Sequence, residues 1–261
     1  MHTAGSRETM PVLFVGHGSP MNAIEDNRFS RTWVEIGEKL PRPRAILSIS
    51  AHWQTAGTAV TAMDHPATLY DFYGFPKPLY EKTYPAPGSP DLARRISAEV
   101  ADPAISLDFS WGLDHGTWSV LCHVFPEVDI PVVQLSLDFN QPPDVHYRLG
   151  RALGGLRRQG ILVIGSGNMV HNLGLVRWQD DAFDWALETD ARMAQLIEAG
   201  DHQALIDYPA AGEHGRKAIP TNEHFLPLLY VLAMRASGDR LSFFCDAVTL
   251  GSISMRSLML G

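Results

Sequence analysis

Short apolar runs alternate with longer segments of helical periodicity along this 261-residue chain, and this alternation is its strongest constraint on the fold. The strand-like runs, rich in Val, Ile and Leu, are residues 12–15, 45–50, 130–137, 161–164 and 241–248. The segments with helical spacing are residues 31–40, 90–100, 115–125, 144–158, 182–199 and 222–235. The pattern predicts an α/β protein, a three-layer sandwich with a mostly parallel central sheet.

The chain shows no internal repeat and no low-complexity linker. With 45% hydrophobic residues it can bury a substantial core. We expect an N-terminal tail over residues 1–10 and a single domain over residues 11–261. The segment of residues 68–90, rich in aromatic residues, Pro and Gly, is expected to be an ordered loop that forms a wall beside a pocket.

The formal net charge of −8 opposes nonspecific binding to nucleic acid or to anionic membranes, so a small molecule is the expected partner. The two cysteines, Cys122 and Cys245, lie far apart in apolar contexts and are expected to be reduced. Neither a signal peptide nor a membrane-spanning run is apparent, which predicts a cytoplasmic location. The sequence does not indicate an oligomeric state.

Three of the eleven histidines closely follow predicted strands: His17, His52 and His171. The carboxyl ends of parallel strands form the crevice in which ligands bind, so these side chains can converge. Two more, His115 and His224, lie at predicted helix starts, with Thr221 as the expected cap before His224. A single histidine is more often a structural residue than a ligand, but this grouping favours a metal site.

Imidazole ligands suit zinc, iron, copper or nickel, and the pattern alone does not choose among them. A site of two histidines and one carboxylate would suit non-haem iron, and Glu223 could supply that carboxylate. Glu223 and His224 are adjacent, so only one of them is expected to face the metal. The other histidines are expected to be structural or exposed, except His214, whose glycine-rich loop could fold over the same site.

Aromatic residues near these histidines suit a flat ring as ligand, although each could equally fill the core. Asn168, in the turn before His171, could hold polar substrate groups or simply shape the turn. The substrate-binding candidates are Trp53, Tyr70, Phe72 and Asn168.

Eight motifs in a fixed order carry a family resemblance. They are GHGSPMN (16–22), SAHW (50–53), YDFYGFP (70–76), YPAPGSP (84–90), DHGTW (114–118), PVVQLS (131–136), GSGNMVHNL (165–173) and EHFLPLLY (223–230). Together they resemble the 4,5-DOPA dioxygenase group of the LigB-like (class III) extradiol ring-cleaving dioxygenases. The resemblance runs from about residue 11 to the C-terminus.

The resemblance implies a LigB-like (phosphorylase/hydrolase-like) domain that inserts both atoms of O₂ into a catechol at one divalent metal per chain. It implies that His17, His52 and His224 are metal ligands. It also implies that His171 is the active-site base and can itself reach the metal, and that His115 contacts substrate. Either His115 or a protonated His171 could donate the proton that O–O cleavage requires. Fe(II) is the metal expected for ring cleavage, with Zn(II) as an alternative bound ion.

Two other functions fit the same residues. A zinc-dependent hydrolase could use the histidines and Glu223 to activate water, and a noncatalytic domain could simply hold a metal. Catechol-dependent oxygen uptake distinguishes the three hypotheses.

Overall fold

A computed structural model describes residues 9–208 and 212–261. The main sheet has eight strands in the order β4-β3-β5-β2-β6-β1-β10-β7, and β8 and β9 form a separate pair. The strands are β1 (Val12–Gly16), β2 (Ala45–Thr55), β3 (Thr58–Thr61), β4 (Ile105–Asp108), β5 (Val132–Asp138), β6 (Ile161–Gly167), β7 (Leu241–Phe244), β8 (Val248–Thr249), β9 (Ile253–Ser254) and β10 (Ser257–Leu260).

Within the described ranges, helices cover both faces of the sheet. They are α1 (Arg28–Lys39), α2 (Lys77–Glu81), α3 (Pro90–Glu99), α4 (His115–Val124), α5 (Pro143–Leu153), α6 (Asp184–Ala199), α7 (His202–Ile206), α8 (Gly212–Ala218) and α9 (Leu226–Ala233). Short 3₁₀ turns occupy Pro20–Ala23, Gly154–Gln159 and Leu173–Leu175. In the part of the chain that the structure describes, no helix is both long enough and apolar enough to cross a bilayer.

Two apolar cores lie on opposite faces of the sheet, because successive residues of a buried strand point to opposite sides. In β1, Val12 and Phe14 pack on the face covered by α3, α5, α6 and α9, whereas Leu13 and Val15 pack on the face covered by α1 and α4. Each fully buried side chain of this size stabilises the fold by about 1.5–3 kcal/mol. The two cores confirm the predicted α/β sandwich.

Strands β5, β2, β6 and β1 pair in parallel at the centre of the sheet. At one side, β10 pairs antiparallel with β1, and β7 pairs antiparallel with β10. The register pairs Gly16 with Gly167 and Ser50 with Ser166. The carboxyl ends of β1, β2 and β6 therefore meet at one edge, where the sequence places three of the candidate histidines.

Several predicted boundaries are wrong. Residues 222–225 precede α9 and are not helical, the predicted helix 144–158 ends at Leu153 and continues as a 3₁₀ turn, and the predicted strand 241–248 ends at Phe244. The segment 68–90 is mostly irregular, as expected, but contains the short helix α2. Residues 1–8 of the expected tail lie outside the described residues. Met10, at the end of that tail, is buried and accepts a hydrogen bond from Arg157.

Candidate metal centre

A cavity of about 750 Å³ opens at the carboxyl edge of the central strands. Five histidines, each from a different part of the chain, line it: His17, His52, His115, His171 and His224. Most of the remaining wall is apolar. The cavity thus brings together all five histidines that the sequence singled out, and His214 instead lines a separate cavity.

Strand β1 delivers His17 directly into this cavity. The strand ends at Gly16, and Gly18 adopts a φ of 60°, which turns the chain away. A Cβ at Gly16 would lie 2.7 Å from backbone atoms of Met255, so a glycine is needed for the close approach of the two segments. The His17 side chain is held at 1% exposure beside that contact.

Strand β2 does not end before His52, as the sequence suggested, but continues through it to Thr55. Its pairing with β5 shifts register between Ile49 and Gln54. Such an irregularity re-aims side chains along a strand. His52 lies within the shifted stretch and lines the cavity.

His224 lies in the turn before α9, not in the helix. Its backbone oxygen accepts a hydrogen bond of 2.8 Å from the Asn168 N–H and is therefore engaged outside the helix. The hydroxyl of Thr221, the expected cap, instead donates to Glu223 at 2.9 Å. A Cβ at Gly167 would lie only 2.0 Å from the His224 oxygen, so this glycine lets the two segments meet.

Three imidazoles stand at the corners of a nearly equilateral triangle. The ring centroids of His17, His52 and His224 are 5.0, 5.3 and 5.0 Å apart, and the Nε2 atoms of His17 and His52 are separated by 3.0 Å. His171 stacks on His224 with ring centroids 3.5 Å apart. The ring of His115 lies against that of His52, with centroids 3.9 Å apart.

Hydrogen bonds from the Nδ1 atoms orient the rings of His17 and His224. Nδ1 of His17 lies 2.9 Å from the Ser166 hydroxyl, which itself donates to the Gly116 oxygen and so accepts from the imidazole. Nδ1 of His224 lies 3.0 Å from Glu223. Because Nδ1 carries the proton in these contacts, Nε2 is left with the lone pair that a metal binds.

Asp71 is the residue that sequence reasoning missed. Its Oδ2 lies 2.8 Å from Nδ1 of His115 and 3.2 Å from Nδ1 of His52, and its Oδ1 accepts from the His115 N–H at 2.8 Å. Partial burial raises the pKa of Asp71, but the hydrogen bond and charge of His115 and the charge of His52 outweigh this and lower it. The signal was present in the YDFYGFP motif, where an acidic residue stands among aromatic residues.

Burial favours the neutral, metal-binding form of four imidazoles, those of His17, His52, His171 and His224. Burial lowers the pKa values of His17, His52 and His224 well below the usual range, and neighbouring histidines add to the effect. Burial, followed by the charge of His115, lowers the pKa of His171 to about 4. Neutral imidazole is the metal-binding form.

The donor set fits a divalent metal. One nitrogen each from His17, His52 and His115 lie within 4.8 Å of one another, and the same holds for the ligand atoms of His171, Glu223 and His224. Clustered neutral imidazoles with carboxylate and hydroxyl partners on their second nitrogens are the environment that zinc and iron sites use. The histidines can therefore hold a metal.

The structure places one of the four predicted substrate residues in the cavity wall and the other three elsewhere. Phe72 lines the cavity and meets His115 edge to face at 5.5 Å. Trp53 is 3% exposed and stacks on Trp111, while Tyr70 packs on Trp118 and donates its hydroxyl to the Lys82 oxygen. Asn168 is buried, with Nδ2 donating to the Ser254 oxygen. Among these four candidates, only Phe72 lies in the cavity wall.

Replacing Asp71 by asparagine is expected to weaken metal binding about 10- to 100-fold, since outer partners of ligating histidines contribute on that scale. The asparagine carries no charge, and when its oxygen faces the two imidazoles its NH₂ group replaces the oxygen that accepts from the His115 N–H. A competition titration with a chelator measures the affinity. Asp91→Asn is the matched control, because Asp91 is exposed and pairs with Arg94. Equal affinities for the two variants would contradict the positioning role of Asp71.

A mostly parallel α/β sheet with a multi-histidine metal-binding cavity at its carboxyl edge defines a class of metalloenzyme in which substrate and metal meet at the strand ends. Residues 12–248 match the family described as the catalytic LigB subunit of aromatic ring-opening dioxygenase. The chain belongs to this family and is an aromatic ring-opening dioxygenase of the extradiol type.

Named relatives agree with this assignment. A protein called 4,5-DOPA dioxygenase extradiol from Escherichia coli (strain K12) is 45% identical over 98% of this chain and 96% of its own length. A protein of the same name from Beta vulgaris is 40% identical, with 87% of each chain covered. The crystal structure of an uncharacterized protein from Escherichia coli K12 is similar with a TM-score of 0.82 and 42% identity, covering 97% of this chain and 100% of that chain.

Proposed function

We propose that this protein cleaves the ring of a catechol, DOPA or a similar compound, with both atoms of O₂ inserted beside the hydroxyl pair. The single observation that carries the proposal is the triangle of His17, His52 and His224, with His171 and His115 beside it in one cavity. The names of the relatives that cover nearly the whole chain support DOPA as a substrate.

We assign metal ligation to His17, His52 and His224, because their three rings surround one point at nearly equal spacing. Fe(II), when bound, supplies neighbouring open positions and the redox capacity to couple a catecholate to O₂, which redox-inert Zn(II) lacks. The competing triad replaces His224 by His115. We assign His115 to the substrate instead, because its ring meets Phe72, an aromatic residue of the cavity wall, edge to face at 5.5 Å.

His171 is our candidate for the base that takes a proton from a catechol hydroxyl. Among the described residues, none hydrogen-bonds to its ring, and the ring lies in the cavity wall. A neutral imidazole without a fixed partner can accept a proton from substrate. The stacking on His224 keeps it beside the proposed ligands.

His115 is our candidate for the group that returns a proton when the ring opens. Asp71 occupies its Nδ1, so its Nε2 is the nitrogen left to exchange a proton with substrate. Phe72 at 5.5 Å from this ring provides an apolar surface for the aromatic substrate.

We further infer that residues 11–261 form one domain, since a single sheet draws strands from β1 to β10. A cytoplasmic location also remains our prediction. A hydrolytic use of Glu223 has less support, because its carboxylate is held by His224 and by the Thr221 hydroxyl.

Oxygen uptake with added catechol tests the proposed function. We expect the chain reconstituted anaerobically with Fe(II) to consume one O₂ per catechol cleaved and to yield a coloured muconic semialdehyde, whereas the Zn(II) form consumes none. An oxygen electrode and the visible spectrum of the product provide the measurements. Absence of uptake with every catechol tried in the iron form would reject the dioxygenase, and ester hydrolysis by the zinc form would favour the hydrolase.

A further inference from the structure

The cavity that holds the histidines offers little to a charged substituent. Apart from the histidines, its one lining residue of the Asp, Glu, Lys and Arg types among those described is Asp71, whose carboxylate is already engaged by His52 and His115. A carboxylate or ammonium group brought into this cavity loses its hydration without gaining a free counter-charge. A catechol with an ionic tail therefore needs somewhere else to place it.

A second cavity of about 510 Å³ adjoins the first, and we call it the side chamber. Four residues line both cavities: Ser19, Met21, Trp178 and Leu250. Trp178 is 78% exposed at this boundary, so its indole lies over the junction without being packed into the core. A substituent on a ring bound beside the histidines can thus reach the side chamber by passing these shared residues.

The side chamber contains the charges that the first cavity lacks. Arg28, Glu25 and Asp180 all line it. Arg28 binds Asp180 through Nη2 alone, at 2.9 Å, which leaves the rest of the guanidinium fork for another acceptor. Asp180 is held in place by the Thr249 hydroxyl at 2.9 Å, and the Glu25 carboxylate has, among the described residues, only a long hydrogen bond of 3.5 Å from Asn27.

A chain of hydrogen bonds fixes the side chamber relative to the metal site. The His17 backbone oxygen accepts from Asn22 Nδ2 at 2.9 Å, and Asn22 Oδ1 accepts from Asn27 Nδ2 at 2.8 Å. Asn27 caps helix α1 through its Oδ1, and Arg28 is the first residue of that helix. The backbone from which the Arg28 side chain extends is therefore tied to a proposed metal ligand through the buried amide of Asn22 and the half-buried amide of Asn27.

We propose that the side chamber binds the α-amino-acid group of a catechol substrate, with Arg28 receiving the carboxylate and Glu25 the ammonium group. A cation and an uncommitted carboxylate in one small chamber match the two charges of a zwitterion. This inference rests on the proposed function, because it takes the catechol ring to lie beside the histidines. It makes Arg28 and Glu25 determinants of substrate specificity.

Isothermal titration calorimetry under nitrogen measures the affinity of catechols for the Zn(II)-loaded chain and tests the inference without turnover. Four catechols serve as probes: L-DOPA with both charges, dopamine with the ammonium only, 3-(3,4-dihydroxyphenyl)propionate with the carboxylate only, and uncharged 4-methylcatechol. Arg28→Ala is expected to weaken the two carboxylate-bearing probes about five- to tenfold, and Glu25→Gln to weaken the two ammonium-bearing probes similarly. 4-Methylcatechol should change less than about twofold in either variant.

Arg31→Ala and Glu35→Gln are the matched controls, because both residues lie on the same helix and line neither cavity. They should leave all four affinities unchanged. Equal losses for charged and uncharged probes, or equal effects of Arg28→Ala and Arg31→Ala, would overturn the inference and leave the proposed function standing. Wild-type protein that binds none of the four catechols would contradict the proposed function itself.

Discussion

The His17→Ala chain is expected to lose its metal and, with it, all measurable ring cleavage. His17 is buried, its Nε2 lies 3.0 Å from that of His52, and its Nδ1 is committed to Ser166. Residues that hydrogen-bond to metal ligands contribute about 10- to 100-fold to metal affinity, so a ligand itself should contribute at least as much. Metal analysis after anaerobic reconstitution with Fe(II) and dialysis measures the loss.

His65→Ala is the control for this experiment, since His65 is exposed and does not line the cavity that holds the proposed ligands. His115→Ala separates the two possible triads. We expect it to retain metal, since we assign His115 to substrate. Full metal retention by His17→Ala would contradict the proposed centre, whereas metal loss from His115→Ala with retention by His224→Ala would transfer the third ligand to His115.

The His171→Ala chain is expected to retain most of its metal and to lose turnover by about 10²- to 10⁴-fold, the usual contribution of a positioned acid or base. Its imidazole has no hydrogen-bonded partner among the described residues, unlike the rings that we assign to the metal. Parallel measurement of metal content and oxygen uptake separates the two effects. Metal loss equal to that of His17→Ala would make His171 a fourth ligand.

The sequence predicted the centre of the fold because β1, β2 and β6 are apolar on both faces and need no partner to be recognised. Strands β3, β4 and β10 were missed. They have only four residues each, and their pairing depends on neighbours that are distant in the sequence. Short strands of this kind acquire their structure from tertiary contacts more than from local preference.

Part of the candidate site could also be predicted from the sequence, because several of its residues follow recognisable strands. Histidines that closely follow predicted strands converge wherever parallel strands do, so His17, His52 and His171 could be grouped from the sequence. The start of α9 could not be placed, because the His224 oxygen is engaged by Asn168, a residue far away in the chain. Asp71 was overlooked because an irregular loop carries no periodicity from which its position could be inferred.

The placement of β1 between β6 and β10 has a consequence for biosynthesis. His17 is made before residues 161–167 and 257–260, which form the two strands that pair with its own strand. His224 also comes late, and contacts between such distant segments form slowly during folding. A nascent chain that lacks residue 224 therefore cannot present the complete set of imidazoles. We expect a metal that needs all three proposed ligands to bind only after these distant segments have been made and have folded together.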